Sequence, residues 1–291
     1  MIEFRELTKK YGDFLAVDHV GLTIETGEFF GLLGPNGAGK TTTIGMLSTL
    51  LLPTEGQVLI DGEPLTRSAA ELKRKISVVT QEYSMRQDMN MDEIMEYQGR
   101  LYFMPLKKIR ERTDAAIEAL KLSHLKDRAV DVLSSGEKQR AAIASVYAMK
   151  PKVFVCDEPT ANLDAAGTKQ LAQTLRQLKA QGFTLLIAEH RIDWLMGIAD
   201  RFLYLRDGRI AAEYTPEDLR LLPEADILGM GLRSPHEGKS LPAPSVLDES
   251  PAVLKTAGLS KRISREAIFE DISLSVPEGG AVSYTHLPAH E

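Results

Sequence analysis

Apolar residues in the first two hundred positions of the chain fall into short runs that alternate with helical patterns. The runs at 3–8, 17–24, 29–33, 57–60, 76–80, 153–156 and 184–188 predict β-strands. Between the last two runs, Leu171, Leu175 and Leu178 share one face of a predicted helix. Apolar strands without polar interruptions, alternating with helices, indicate a sheet that is covered on both faces. The sequence therefore predicts an α/β core.

The middle of the chain and the stretch after residue 215 depart from this alternation. The pattern from Met91 to about Lys121 is helical, and no strand pattern occurs between Gln81 and Ser134. We interpret residues 82–140 as a helical subdomain inserted into the core. Prolines at 216, 223, 235, 242, 244 and 251 then break up a mostly polar stretch, which predicts a linker over 216–252.

A faint internal repeat follows the predicted linker. LTKKYGDFLAVDHVGLTIETGE, which begins at Leu7, aligns without a gap on LSKRISREAIFEDISLSVPEGG, which begins at Leu259. The match is lost after about Val282. We predict one complete domain over 1–215, the shortened start of a second such domain over 253–282, and an unrelated tail over 283–291. Half a domain has no core of its own, so we expect this segment to pack loosely.

A glycine-rich motif, GPNGAGKT, lies between an apolar strand and a predicted helix. It fits the P-loop pattern, in which backbone N–H groups surround a phosphate and a lysine contacts the outer phosphates. In the same pattern the hydroxyl of Thr41 ligates Mg²⁺. The predicted nucleotide-binding residues are Gly34, Pro35, Asn36, Gly37, Ala38, Gly39, Lys40, Thr41 and Thr42.

A pair of acidic residues ends the apolar strand VFVC. Asp157 lies at the carboxyl edge of the predicted sheet, near the P-loop, where it can hold Mg²⁺ through water. Glu158 follows and is placed to polarise an attacking water molecule. Two acidic residues that merely end a strand are the alternative, which the upstream P-loop makes less fitting.

Two serines and a glycine, in LSSGEKQR, open another predicted helix. Ser and Gly are ordinary helix N-caps, but exposed N–H groups at a helix start also bind anions. In this order, the P-loop, the SSG helix start and the acidic pair resemble the ATP-binding subunits of ABC transporters. The resemblance covers about residues 1–215.

The resemblance implies a fold, an activity and partners. The fold is a P-loop NTPase core with a mostly parallel sheet, an N-terminal antiparallel β subdomain and an inserted helical subdomain. The activity is hydrolysis of ATP, with Mg²⁺ as cofactor, at sites shared between two paired domains. The partners are transmembrane permease subunits and a second ATPase domain, as a homodimer or a heterodimer, on the cytoplasmic face of the cell membrane.

The same resemblance assigns further site residues. Tyr11 matches an aromatic residue that stacks on adenine, and Gln81 matches a glutamine that reaches both the metal and the membrane partner. His190 matches a histidine at the γ-phosphate. The ordinary alternatives are a strand-end tyrosine, a polar strand terminus and a structural histidine. A dimer-interface loop matches Ala161, Asn162, Leu163 and Asp164, where the alternative is a helix N-cap by the aspartate.

LSSGEKQR matches the signature motif LSGGQ of this family, which binds the γ-phosphate held by the opposite protomer. Ser134, Ser135, Gly136 and Glu137 are the residues that the match assigns to this contact. Ser135 replaces a glycine and Glu137 replaces a glutamine, and the glutamate adds negative charge beside a phosphate.

Charge, hydropathy and cysteine content limit the kinds of partner and environment that we expect for this chain. The net charge of −6 argues against nucleic acid as the main partner, so none is expected. No apolar run is long enough to span a bilayer, and the first residues lack a signal-peptide pattern. The single cysteine, Cys156, cannot form an internal disulfide, and inside an apolar strand it is best interpreted as a core residue.

The sequence does not decide between import and export. The stretch from the P-loop to about residue 105 resembles ATPases of drug and polymer exporters. The stretch from LSSGEKQR through DGRI resembles ATPases of energy-coupling-factor importers for vitamins and metal ions, which include tandem chains, and we favour that type. Soluble relatives that act on ribosomes or DNA are the alternative class, but the basic helical linker, coiled coils and zinc cysteines of those proteins are missing here.

Overall fold

A computed structural model describes residues 1–80, 86, 88–233, 252–263 and 266–277. The chain divides into two compact units, Met1–Glu237 and Gly238–Glu291. Gln81, residues 234–251 of the predicted linker and the predicted tail over 283–291 lie outside the described residues. No helix in the described part of the chain is long and apolar enough to cross a bilayer.

The first unit alternates strands and helices in the order that the apolar pattern predicts. Its strands are β1 Ile2–Tyr11, β2 Phe14–Ile24, β3 Phe29–Leu33, β4 Glu55–Ile60, β5 Glu63–Pro64, β6 Ile76–Val79, β7 Val153–Asp157, β8 Thr184–Glu189, β9 Arg201–Arg206 and β10 Arg209–Tyr214. Its α-helices are α1 Lys40–Leu47, α2 Ala70–Lys73, α3 Met91–Leu101, α4 Leu106–Ala119, α5 Ser135–Ala148, α6 Ala165–Ala180, α7 Pro216–Leu221 and α8 Glu224–Gly229. Two short 3₁₀ helices occupy Ser123–Leu125 and Val130–Val132.

The larger sheet carries the site. Its strand order is β10-β9-β3-β8-β7-β6, and every neighbouring pair is parallel except β10 with β9. Parallel strands end at one edge, so the residues that follow β3, β7 and β8 are brought together there. The smaller sheet, in the order β2-β1-β4-β5, is antiparallel. The predicted α/β fold with an antiparallel β subdomain is therefore confirmed.

Strand β3 shows why these apolar runs lack polar interruptions. Phe29 and Leu33 are buried in one hydrophobic core, together with the helical subdomain and β7, β8 and β9 residues. Phe30 and Leu32 point to the opposite face and are buried in a second core with the antiparallel sheet and α1. Because successive side chains of a strand alternate between faces, a strand between two cores must be apolar throughout.

The predicted helical stretch from Met91 to Lys121 is two helices. Helix α3 begins with a capping box in which Asn90 and Glu93 accept hydrogen bonds from each other's backbone N–H groups. It ends in a Schellman motif, with the N–H of Met104 bonded to the carbonyl of Gly99 at 3.0 Å. Phe103 takes the left-handed position of that motif, with φ of 56°.

The structure departs from the predicted linker at its start. Residues 216–221 and 224–229 form α7 and α8, and Leu219 and Ile227 are fully buried in the first core. Thr215 caps α7 and Pro216 occupies its first turn, where a proline is favoured. The prolines at 216 and 223 therefore start helices, and the first unit continues to at least Arg233.

The described residues of the second unit form an antiparallel hairpin of β11 Ala252–Ile263 and β12 Glu266–Pro277. Leu7 pairs with Val20 in the first unit, and Leu259 pairs with Ile272 in the second. Lys9 with Val17 and Lys261 with Phe269 repeat the same correspondence. The strand register thus repeats with the offset that aligns the two sequences. Apart from the start of the linker, the domain boundaries from the sequence stay predictions.

We expect truncation of Ile227 to lower the free energy of unfolding of the first unit. Ile227→Ala should cost about 2–5 kcal/mol, because a buried aliphatic side chain leaves a cavity. Leu228→Ala is the matched control, since Leu228 is 55% exposed on the same helix, and its effect should stay within about 0.5 kcal/mol. Urea unfolding at equilibrium measures both. Equal small effects would mean that α8 does not belong to the folded unit.

Candidate nucleotide-binding site

The P-loop connects the end of β3 with the start of α1. Gly37 and Gly39 have φ angles of 81° and 102°, in the left-handed region that favours glycine. At Gly39 a Cβ would lie 2.6 Å from the carbonyl oxygen of Ala16, so a side chain has no room. The loop therefore keeps a tight path that presents backbone groups to a ligand, as the motif predicts.

Lys40 lies at the start of α1 with only 4% of its surface exposed. Its Nζ donates hydrogen bonds to the carbonyl oxygens of Gly34 at 2.8 Å and Pro35 at 3.1 Å. It also lies 3.3 Å from Oε1 of Glu158. A buried ammonium group is held in place here by two loop carbonyls and one carboxylate.

Asp157 ends β7 and is nearly buried. Burial raises the pKa of its carboxyl, a hydrogen bond from Thr41 opposes that rise, and neighbouring Glu158 adds to it. Among the described residues, its Oδ1 is buried without a hydrogen-bond partner. An unpartnered carboxylate oxygen beside the Thr41 hydroxyl fits a hard cation such as Mg²⁺.

Glu158 has a strained backbone, with φ of 47°. Its N–H donates to the carbonyl of Ala188 at 2.9 Å, which fixes it against β8. Its Oε1 lies 3.3 Å from Nζ of Lys40 and 3.6 Å from Nδ1 of His190. The structure therefore brings these three side chains together, although they are far apart in sequence.

A fully buried glutamate, Glu189, supports this cluster, and the sequence reasoning did not identify it. Its Oε2 accepts from the N–H groups of His190 at 2.9 Å and Arg191 at 3.2 Å. Its Oε1 accepts from the N–H of Thr160 at 3.2 Å and from the Thr160 hydroxyl. An acidic residue at the end of an apolar strand, directly before a candidate histidine, was the available signal. Glu189 links the loop after Glu158 to His190.

The cavity at the P-loop has a volume of about 390 Å³. Phe14 and Ala16 of β2 line it together with the loop and Glu158. Tyr11, the predicted adenine-stacking residue, pairs with Phe14 across the hairpin, lies outside this lining and has Lys9 over its ring at 5.1 Å. Phe14, which is 64% exposed, is the aromatic residue at the cavity.

The predicted signature lines a second cavity of about 490 Å³. Ser134 to Glu137 line it together with Asn162 and Asp164 of the predicted interface loop. Asp164 also caps α6 by accepting from the N–H of Gly167 at 2.7 Å, so the ordinary alternative describes it as well. Ala161 is exposed and Leu163 is nearly buried. The P-loop cavity and the signature cavity have no lining residue in common.

Glu137 faces its own helix start. It completes a capping box with Ser134, whose N–H donates to Oε2 of Glu137 at 2.8 Å. Oε1 of Glu137 accepts from Arg128 at 3.1 Å. Burial would raise the pKa of Glu137, but the Ser134 hydrogen bonds and the Arg128 charge outweigh it and lower that pKa. The glutamate charge is therefore compensated by Arg128, which the sequence reasoning did not identify.

Cys156 is a buried residue of β7, next to Asp157. Burial raises the pKa of its thiol to about 12. A thiol with that pKa stays protonated at neutral pH and does not act as a nucleophile. This agrees with its interpretation as a core residue.

A glycine-rich loop between a strand and a helix, with a buried lysine and an acidic residue at the end of a neighbouring parallel strand, defines a P-loop NTPase. Residues 17–161 match the family model of ABC transporters. The chain belongs to the ABC transporter family, as an ATP-binding cassette, and cassettes of this family are ATPases.

Three known proteins illustrate the relationship. The chain is 36% identical over 233 residues to "Fe(3+) ions import ATP-binding protein FbpC 1" of Rhizobium meliloti, which covers 78% of this chain and 66% of that protein. It is 34% identical over 220 residues to "Probable multidrug ABC transporter ATP-binding protein YbhF" of Escherichia coli, covering 76% of this chain and 38% of that protein. The chain thus spans two thirds or less of these two relatives.

The third is a solved structure, the dimeric form of MJ0796, described as a bacterial ABC transporter cassette. It superimposes with a TM-score of 0.66 at 29% identity, and covers 74% of this chain and 99% of that one. The predicted fold and family are confirmed by these matches. They do not separate the predicted importer type from an exporter.

We expect Arg128 to matter only while residue 137 is a glutamate. Arg128→Gln should lower the steady-state ATPase rate about three- to tenfold, because it leaves an unbalanced carboxylate beside the signature. In the Glu137→Gln background, with or without Ser135→Gly, the same change should have little effect. Ser135→Gly with Glu137→Gln alone should not reduce the rate.

Rates at low and high salt measure the effect, since screening should shrink an electrostatic penalty. An equal loss from Arg128→Gln in both backgrounds would assign Arg128 a structural role in place of charge compensation.

Proposed function

We propose that this chain is the ATP-binding and ATP-hydrolysing subunit of a membrane ABC transporter. The observation that carries the proposal is that Lys40, Glu158 and His190 meet at the P-loop. Oε1 of Glu158 lies 3.3 Å from Nζ of Lys40 and 3.6 Å from Nδ1 of His190. A cation, a carboxylate and an imidazole around a loop of backbone N–H groups suit the transfer of a phosphoryl group to water.

Each residue has a defined task in this proposal. Lys40 binds the outer phosphates, which compete with Glu158 for its ammonium group. Glu158 then orients and polarises the attacking water, and His190, whose Nδ1 lies 3.6 Å from Oε1 of Glu158, contacts the γ-phosphate. Thr41 and Asp157, with Gln81 as the further predicted ligand, would hold Mg²⁺, which would supply positive charge to the phosphates. Phe14, beside Tyr11, is the better placed residue to stack on adenine.

We further propose that two cassettes pair to complete each site. The signature residues lie in a cavity separate from the P-loop cavity of the same chain. A second copy of the cassette in opposite orientation would bring its Ser134 and Gly136 to the γ-phosphate bound at Lys40. The same pairing gives the loop Ala161–Asp164 an interface role, because it lines the signature cavity.

We expect Glu158→Gln to trap an ATP-bound dimer. The amide cannot polarise water, while the loop, Lys40 and Asp157 still bind the nucleotide, so hydrolysis should fall by a factor of about a hundred or more. Light scattering with Mg-ATP should report a dimer for the variant and a monomer for Lys40→Ala. A variant that stays monomeric while the wild type hydrolyses ATP as a monomer would contradict the paired mechanism.

The groove between the core and the helical subdomain is the proposed docking site of the permease. Its volume is about 520 Å³, and Leu101 and Phe103, 60% and 87% exposed, lie on its rim. Phe103 also has a left-handed backbone, which costs an aromatic residue free energy that glycine would avoid. An exposed and strained aromatic residue at an apolar groove favours a binding role over a folding role. Gln81 follows β6, whose residues Ile76 and Val78 line the same groove.

The proposed location is the cytoplasmic face of the cell membrane, where the permease would hold the cassette. Of the two directions, we favour import of the energy-coupling-factor type for vitamins or metal ions. The sequences of the signature and of the later motifs support this type. The hairpin that repeats the register of the first two strands also supports it, because this importer type includes tandem chains. Export of drugs or polymers is the alternative. The substrate itself is selected by the membrane subunits.

We expect Phe103→Gly to stabilise the isolated chain and to weaken its attachment to the permease. Relief of the left-handed strain should raise the free energy of unfolding by about 1 kcal/mol. After membranes are solubilised in detergent, the wild type should stay bound to the permease and the variant should dissociate from it. Leu221→Ser is the matched control, since Leu221 is 83% exposed outside the groove. Unchanged attachment of the Phe103 variant would exclude this groove as the docking site.

A further inference from the structure

The four residues that follow α8, Met230 to Arg233, run between the P-loop and the candidate histidine. We name residues 230–233 the clamp segment. The N–H of Arg233 donates to the carbonyl oxygen of His190 at 2.9 Å, and Arg191 and Arg233 form an isolated parallel bridge. His190 lies just past the end of β8, so this bridge takes the place of a neighbouring strand for its backbone.

Side chains within and just before the clamp segment are anchored in the core. Ile227 and Leu232 are 0% and 2% exposed, and they belong to the first hydrophobic core. The hydroxyl of Tyr204, on β9, donates to the carbonyl of Met230 at 2.7 Å. A segment with buried side chains on both sides of residue 230 and a partly buried hydrogen bond at residue 230 has little freedom to move.

The middle of the clamp segment touches the P-loop. Gly231 has φ of 71°, and a Cβ there would lie 2.9 Å from Cβ of Pro35. The close approach requires glycine both for its backbone angle and for its lack of a side chain. The clamp segment therefore contacts the loop that holds Lys40 and the residue that faces Glu158.

His190 is held through its backbone on both sides. Its N–H donates to Oε2 of Glu189, and its carbonyl accepts from Arg233, each at 2.9 Å. In the described part of the chain its Nδ1 is buried and makes no hydrogen bond, at 3.6 Å from Oε1 of Glu158. These two bonds thus fix the main chain that carries the imidazole, while Nδ1 of the ring adds no hydrogen bond among the described residues.

We infer that the clamp segment is a positioning element for hydrolysis, which holds His190 at the γ-phosphate and sets its distance from the P-loop. The inference rests on the proposed role of His190. Arg233 contributes its N–H and not its exposed guanidinium, so it is a positioning residue and not a catalytic one. Loss of the bond should slow the chemical step and leave the binding of ATP at Lys40 intact.

Arg233→Pro tests this directly, because proline has no N–H to donate, and Arg233→Ala is the matched control that keeps it. In the full chain, the proline variant should lose about tenfold in kcat. Its KM and equilibrium Kd for ATP should change by less than about twofold, and the alanine variant should keep both constants within the same range. A proline variant with the kcat of the alanine variant, or with binding weakened as much as kcat, would overturn the inference.

A second variant guards against misfolding by proline. Gly231→Ala keeps every N–H but strains the contact with Pro35, and it should lower kcat in the same way without weakening ATP binding. Thermal unfolding of both variants shows whether the fold is retained. If Gly231→Ala folds and keeps full kcat, the clamp segment does not position the site.

His190→Ala separates the inference from the function on which it rests. The single variant should lose kcat, and adding Arg233→Pro to it should cost nothing further, because the bond acts only through the imidazole. If His190→Ala keeps full activity, the proposed role of His190 is wrong. If His190→Ala is impaired and Arg233→Pro still lowers its kcat by the same factor, the clamp inference alone is wrong.

Discussion

The site depends on a lysine ammonium group that is buried in the P-loop. Lys40 is 4% exposed, and a charge removed from water in this way is stable only when other groups replace its hydration. The carbonyls of Gly34 and Pro35 and the carboxylate of Glu158 do this. The tight turn of the loop around this ammonium group has Gly37 and Gly39 in the left-handed region, which glycine adopts without strain.

The sheet brings the remaining groups to this cation. Strands β3, β7 and β8 are parallel neighbours in the larger sheet, so Lys40, Glu158 and His190 meet at one edge. Backbone contacts then hold the main chain of two candidate site residues, with Glu158 bonded to Ala188 and His190 bonded to Glu189 and to the clamp segment. The arrangement of the candidate site thus depends on the backbone as well as on side-chain contacts.

Local motifs could be predicted from the sequence, and contacts between distant segments could not. GPNGAGKT and the Asp157–Glu158 pair are contiguous, and their chemistry requires those residue types in that order. Glu189 and Arg128 act through partners that only the fold identifies. Phe14 and Tyr11 are neighbours across a hairpin, so the choice between them depended on the register.

Prolines misled the prediction of the linker. Pro216 lies in the first turn of α7 and Pro223 caps α8, positions where a missing N–H costs nothing. The burial of Leu219 and Ile227 shows that these prolines begin core helices and do not mark a linker. The positions of proline residues along the sequence do not reveal that burial. For the hairpin after the linker the sequence was a better guide. Its strand register is the one that the alignment with the first two strands gives.

The central claim is that an ATP bound at one P-loop is completed by the signature of a second cassette. Mixing two inactive variants, Lys40→Ala and Gly136→Asp, tests it most directly. Each alone lacks one half of every site, whereas a mixed dimer holds one site with an intact P-loop and an intact signature. We expect ATPase activity to return on mixing. A mixture as inactive as its components, or a Gly136→Asp variant with full activity, would contradict it.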